Sequence, residues 1–129
     1  MDSRSQSRER ALTLLYEAET KDVPPVDVLE AQIDPADDLT RLIVEGVSSS
    51  RPDLDDVIGR HAVGWSVDRM PALDRLVLRM ATFELKERTD VPLAVIIDEA
   101  VELAKRFNTD DSGRFVNGVL SSVAREFGR

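Results

Sequence analysis

The chain has 129 residues, a formal net charge of −8 and no cysteine. That length suits one domain, or two small lobes sharing a core, burying about two-thirds of its unfolded surface. Without cysteine there is no disulfide, no thiolate nucleophile and no cysteine-held metal. No run of about 18 apolar residues spans a bilayer, and the polar start MDSRSQSRER is not a signal peptide. A soluble protein of the cytoplasm is expected.

The charge is unevenly placed. Residues 1–10 hold Arg4, Arg8 and Arg10 against Asp2 and Glu9, while residues 11–56 set twelve acids against Lys21, Arg41 and Arg51. From Val57 to Arg129 the two signs balance, eleven against eleven. A polyanion would therefore meet the N-terminal arginines and the C-terminal half and avoid the middle.

Every periodic segment reads as helix. Ser3 or Ser7 opens a first helix running to about Thr20, with Ala11, Leu12, Leu14, Leu15 and Ala18 inside. Pro24-Pro25 ends that segment, and Val26 to Ile33 makes a short second helix. After Asp34-Pro35, a third helix runs from about Ala36 to Ser49 with Leu39, Leu42, Ile43 and Val47. Pro52 suits the first turn of a fourth, carrying Leu54, Val57, Ile58 and His61. Gly64 and Pro71 mark a bend before a fifth helix, about Ala72 to Arg88, whose stripe is Leu73, Leu76, Val77, Met80 and Phe83 or Glu84.

The last two helices are the clearest. Leu93, Ile96, Ile97, Ala100, Leu103, Ala104 and Phe107 form one apolar stripe, and after Asn108-Thr109 another resumes at Val116, Val119, Leu120, Val123 and Phe127. No alternating strand pattern competes with these periods. The pattern predicts an all-α fold of about seven helices in one compact unit.

Catalytic constellations are sparse. His61 has no second histidine to share a metal with. Asp98, Glu99 and Glu102 lie within one turn, but Lys105 and Arg106 follow a turn later, as in a paired surface. An enzyme is not expected; neither a cofactor nor a metal is called for. Two residues are costly as packing alone: Gly118 inside the last helix, where glycine costs about 1 kcal/mol against alanine, and Glu84 at the edge of an apolar stripe. Close helix packing would explain the first, and an internal arginine partner or a facing protein the second.

The binding candidate lies at the start of the last helix. Phe115 falls off the apolar stripe, beside Arg114 and the Asp110-Asp111-Ser112 turn, where helix-start N–H groups point outward. An aromatic beside a cation and free donors suits a nucleotide base and phosphate. The same residues also read as a half-covered core aromatic and a helix cap.

Four blocks make the chain resemble the bacterial transcription antitermination factor NusB family. They are the arginine-bearing start followed by ALTLLYEAE; PALDRLVLRMATFELKERTDVPLAVIIDEAVELAKRF; the DDS turn; and RFVNGVLSSVA. They cover the first helix and nearly all of residues 71–124, while residues 21–60 are poorly characteristic.

The resemblance implies two packed three-helix bundles, about 1–50 and about 52–129. It implies binding of boxA, a short single-stranded RNA of ribosomal RNA leaders. The partner is a small-subunit ribosomal protein, NusE, within the RNA polymerase antitermination complex. Carried over by residue, the RNA contacts are Arg4, Arg8, Arg10, Asp111, Ser112, Arg114 and Phe115, with Trp65 at the edge of the path. The partner surface is Tyr16, Glu17, Asp74 and Arg75. Here the arginine start is diluted by serines, a glutamine and Glu9. The competing readings are a helical adaptor without RNA binding, the RNA-binding accessory domain of an RNA methyltransferase, and a homodimer that buries the RNA face. Monomer and homodimer both stay open.

Overall fold

The computed structural model describes residues 3–129; Asp2, counted above in the N-terminal charge, lies outside the described residues. Six α-helices follow in order: α1 (Ser3–Lys21), α2 (Pro25–Glu30), α3 (Asp38–His61), α4 (Ala72–Glu87), α5 (Leu93–Phe107) and α6 (Asp110–Glu126). A 3-10 turn at Val67–Arg69 precedes α4, and no strand occurs among the described residues. None of the described helices is long and apolar enough to cross a membrane.

The expected third and fourth helices are one. Pro52 lies inside α3, and the division expected at residues 50–52 falls in mid-helix. The proline removes the N–H that Ser48's carbonyl would accept, a cost of up to about 3 kcal/mol. The helix continues because its buried face stays in register across the break. Ile43, Val47, Leu54 and Ile58 are all buried, at offsets of four, seven and four that keep one side of a 3.6-residue period.

α1, α2 and α3 pack on one another, as do α4, α5 and α6, and the two groups meet mainly through α3 against α4 and α1 against α4. A single apolar core runs through both, from Leu12 and Leu15 through Ile43 and Leu78 to Ile96 and Leu120. α3 and α4 approach closely at Gly46, where an added Cβ would lie 2.1 Å from Phe83 Cε1.

Polar joints fix the packing. Asp37 caps α3, accepting from the Thr40 N–H at 3.2 Å and from the Ser7 hydroxyl at 2.6 Å, which ties α1 to the start of α3. Partial burial pushes the Asp37 carboxyl up, but the bonds from Ser7 and Thr40 outweigh it and bring it to about 2. At the other end of α3, Arg60 holds Glu126 through two bonds of 3.1 and 2.6 Å. His61 joins the same carboxylate at 2.7 Å and the Ser122 hydroxyl at 2.6 Å. The Arg60 bonds, then those of His61, draw the Glu126 carboxyl down to about 2. His61 is thus a surface clasp between α3 and α6.

Candidate nucleic-acid interface

The turn between α5 and α6 builds the site. Thr109, in extended backbone, caps α6, its side chain accepting from the Ser112 N–H at 3.0 Å. Asp110, Asp111 and Ser112 therefore form the first helical turn instead of preceding it. Asp74, at the start of α4, accepts from Asn108 Nδ2 and from the Ser112 hydroxyl, each at 3.2 Å. This network pins the turn against α4.

Two expected contact residues are consumed by it. Ser112 is 6% exposed and Asp74 4% exposed, so both are held mainly beneath the turn. Their polar groups satisfy one another because a buried carboxylate or hydroxyl left without a partner is costly. The sequence marks Asn108-Thr109 only as the break between two apolar stripes, although Thr is itself among the preferred N-cap residues.

What remains outward is Asp111, Arg114 and half-buried Phe115. Arg114 and Asp111 form an exposed ion pair across three residues of α6. Such pairs are worth less than about 1 kcal/mol, so either partner can be redirected to a ligand at little cost. The structure brings Trp65 to Phe115: the ring centroids are 5.9 Å apart and the planes tilted by 59°. Trp65 is delivered by Gly64, whose φ of +81° lies in the left-handed region that favours glycine. The indole is 50% exposed. Both rings line a groove of about 200 Å³, together with Pro71, Asp74, Asp111 and Ser112.

Cations flank it on one side. A shallow depression between α5 and α6 carries Lys105 and Arg114 against Asp98 and Asp110, with Asn117 beside them. Gly113 makes it possible, since a Cβ there would lie 2.4 Å from Lys105 Cγ. Gly118, one turn on from Arg114, is exposed with nothing within 4 Å of an added Cβ; internal helix packing does not explain it.

The N-terminal arginines have separate fates. Arg4 is exposed. Arg8, expected to contact RNA, is 2% exposed and donates to Glu84 from Nε at 2.8 Å and from Nη2 at 2.9 Å. It is interior because it continues the buried face of Ala11, Leu12 and Leu15 by a turn. Glu84, itself buried, also accepts from Arg88 at 2.7 Å, which accounts for a carboxylate at the edge of an apolar stripe. Arg10 holds the loop ahead of α3, donating to the carbonyls of Asp34 at 2.5 Å and Pro35 at 3.3 Å. Glu9 pairs with Arg106 at 2.9 Å, linking α1 to the last turn of α5, two residues before Asn108.

Of the expected partner residues, Tyr16 is exposed on α1 and Glu17 pairs with Lys21 at 3.0 Å. Arg75 reaches Glu19 at 2.5 Å and the Met70 carbonyl at 3.0 Å, so it joins α1, the 3-10 turn and α4.

Residues 5–125 match the model of the NusB family. The transcription antitermination protein NusB of Saccharopolyspora erythraea is 46% identical over 130 residues, covering 96% of this chain and 88% of that one. The solved structure of NusB from T. maritima superposes with a TM-score of 0.89 at 36% identity, covering 98% of this chain and 93% of that one. A chain in a solved complex of antitermination factors NusB and NusE with dsRNA shares the fold, with a TM-score of 0.82 at 24% identity over 98% of this chain and 99% of that one.

Proposed function

The chain belongs to the NusB family, and from that membership we propose that it is a cytoplasmic transcription antitermination protein. In this reading it binds boxA RNA from the leaders of ribosomal RNA operons. It does so together with the ribosomal protein NusE, within the RNA polymerase antitermination complex.

The observation that carries the RNA reading is the pair of tilted aromatics at the start of α6. Trp65 and Phe115 line one groove in tilted contact, and Arg114 precedes Phe115 on the outward side of α6, a combination of aromatic surface and cation that suits single-stranded RNA. In this assignment Phe115 and Trp65 stack on bases, and Arg4, Arg10 and Arg114 meet phosphates. Asp111 meets a base edge. Asp74 and Ser112 act as positioning residues that hold the turn, and Arg8 acts through α1 by anchoring it to α4. Tyr16, Glu17 and Arg75 form the partner surface on α1 and the start of α4.

Division of labour reconciles this with the net charge of −8. Ribosomal proteins are generally basic, so an acidic α1 carrying Glu17, Glu19 and Asp22 steers one in electrostatically, and the RNA then crosses both proteins.

Replacement of Phe115 by alanine tests the site. Loss of one base–aromatic stack weakens RNA binding by about 1–3 kcal/mol, read by fluorescence anisotropy of labelled boxA RNA with the partner present. Unchanged affinity in a folded variant would move the RNA elsewhere on the surface.

A further inference from the structure

A cavity of about 210 Å³ lies where α1, α2, α3 and α4 meet, apart from the groove at the start of α6. Its floor is apolar, formed by Leu15, Ala18, Val47 and Leu76, all of them buried. The volume is below the roughly 300–1,000 Å³ of sites for drug-sized ligands, so a molecule of few heavy atoms fits it.

The polar wall carries both signs of charge. Arg79, 4% exposed, donates to Asp55 from Nε at 2.7 Å and from Nη2 at 2.9 Å. Its Nη1 has no hydrogen-bond partner among the described residues, which leaves two donors of a buried guanidinium at the cavity that Arg79 lines. Arg51, 4.0 Å from the same Asp55 and largely exposed, adds a second cation. Opposite in sign are Glu19, already paired with Arg75, and Asp22, whose carboxylate has no partner among the described residues. Asp22 holds a φ of +55°, a strained position for an aspartate that glycine would occupy freely. Ser48 lines the cavity as well, and Pro52 deprives its carbonyl of the helical N–H.

We propose that this cavity binds a free α-amino acid with an aliphatic side chain, of about the size of valine or leucine. The ligand carboxylate accepts from Arg79 Nη1 and Arg51. The ammonium donates to the Asp22 carboxylate and the Ser48 carbonyl, and the side chain lies on Leu15, Val47 and Leu76. A simple carboxylate would meet Asp22 and Glu19 as like charges, and a simple amine would meet two guanidiniums. A zwitterion satisfies both signs. The proposal is independent of the RNA-binding reading.

The test titrates the full chain, isotope-labelled at its leucine and valine methyls, with L-leucine. Isocaproate, which lacks the ammonium, and isoamylamine, which lacks the carboxylate, are titrated alongside. The expected result is a saturable shift of the Leu15, Val47 and Leu76 methyl signals, with those of Val116 and Leu120 unmoved. L-leucine should bind at least about tenfold more tightly than either analogue, as the loss of a charge-assisted bond implies. Arg79 is a poor site for substitution, because its loss strands Asp55. Asp22→Gly, which relieves the backbone, and Arg51→Ala, at an exposed position, keep the fold, and each should weaken leucine binding about tenfold. No methyl shift with L-leucine overturns the site. Equal binding of either analogue overturns the zwitterion, and unchanged leucine affinity in both folded variants overturns the assignment of its two ends.

Discussion

The Arg8 guanidinium and the Glu84 carboxylate meet through two hydrogen bonds of 2.8 and 2.9 Å inside the protein, joining α1 to α4. Both side chains are at most 3% exposed. Removing one member of a buried pair leaves an uncompensated charge and costs about 3–5 kcal/mol; Arg88 remains on Glu84, which holds the loss near the lower figure. Arg8→Ala is therefore expected to lower unfolding free energy by about 3 kcal/mol in urea, whereas Arg4→Ala, on the exposed first turn, stays within about 0.5 kcal/mol. Equal effects of the two substitutions would contradict the separation of a structural arginine from a surface one.

Two glycines with opposite surroundings give opposite predictions. At Gly46 a methyl group collides with the Phe83 ring, and overpacking of this kind costs about 1–3 kcal/mol. At Gly118 nothing stands within 4 Å, so alanine gains up to about 1 kcal/mol of helix propensity. Thermal unfolding of Gly46→Ala and Gly118→Ala should shift in opposite directions.

Acid sensitivity follows from Asp37 and Glu126. Both carboxyls are held at about 2, against usual values of 3.8 and 4.5. A carboxyl depressed on folding contributes fully above its usual value and loses that contribution as pH falls through its folded one. Stability should therefore be flat above about pH 5 and decline between about 4.5 and 2. Asn can still cap α3, so Asp37→Asn costs about 1 kcal/mol at neutral pH and makes the acid decline shallower. Urea midpoints from pH 6 to 2 measure both effects; an unchanged decline in the variant would remove Asp37 from the account.

The partner surface is separable from the RNA groove. In the proposed reading Tyr16, exposed on α1, is the aromatic anchor of that surface, and aromatic anchors dominate interface energies. Tyr16→Ala should weaken NusE binding by about 2 kcal/mol while leaving RNA binding by the chain alone unchanged. Calorimetry with the partner, paired with anisotropy without it, distinguishes the two surfaces. A loss in both would merge them.

The fold was legible where apolar period and caps agreed, as in α5 and α6, whose stripes match the buried residues Ile96, Ala100, Leu103, Val116, Leu120 and Val123. Pro52 misled because a proline signals a helix start locally, whereas the register from Ile43 to Ile58 that overrides it is read only over a longer window. Arg8 is expected at the RNA because the resemblance carries over the whole arginine start, yet its spacing to Ala11, Leu12 and Leu15 already puts it on the buried face. Its partner Glu84 is 76 residues away, a distance no local pattern spans. The meeting of Trp65 with Phe115 and the inward turn of Ser112 and Asp74 depend likewise on how α4 docks against the start of α6.

Shared RNA binding by this chain and NusE is tested by boxA RNA affinity with and without NusE across a range of salt concentrations. In the proposed reading Arg8 stays in its buried pair with Glu84, and phosphates meet three or four of Arg4, Arg10, Arg114 and Lys105. Three or four contacts at about −0.7 each give a slope of log K on log salt near −2 to −3 for the chain alone. Weak binding with that shallow slope is expected, and marked tightening when the partner is added. Tight boxA binding by the chain alone with a much steeper slope, or no gain from the partner, would contradict it.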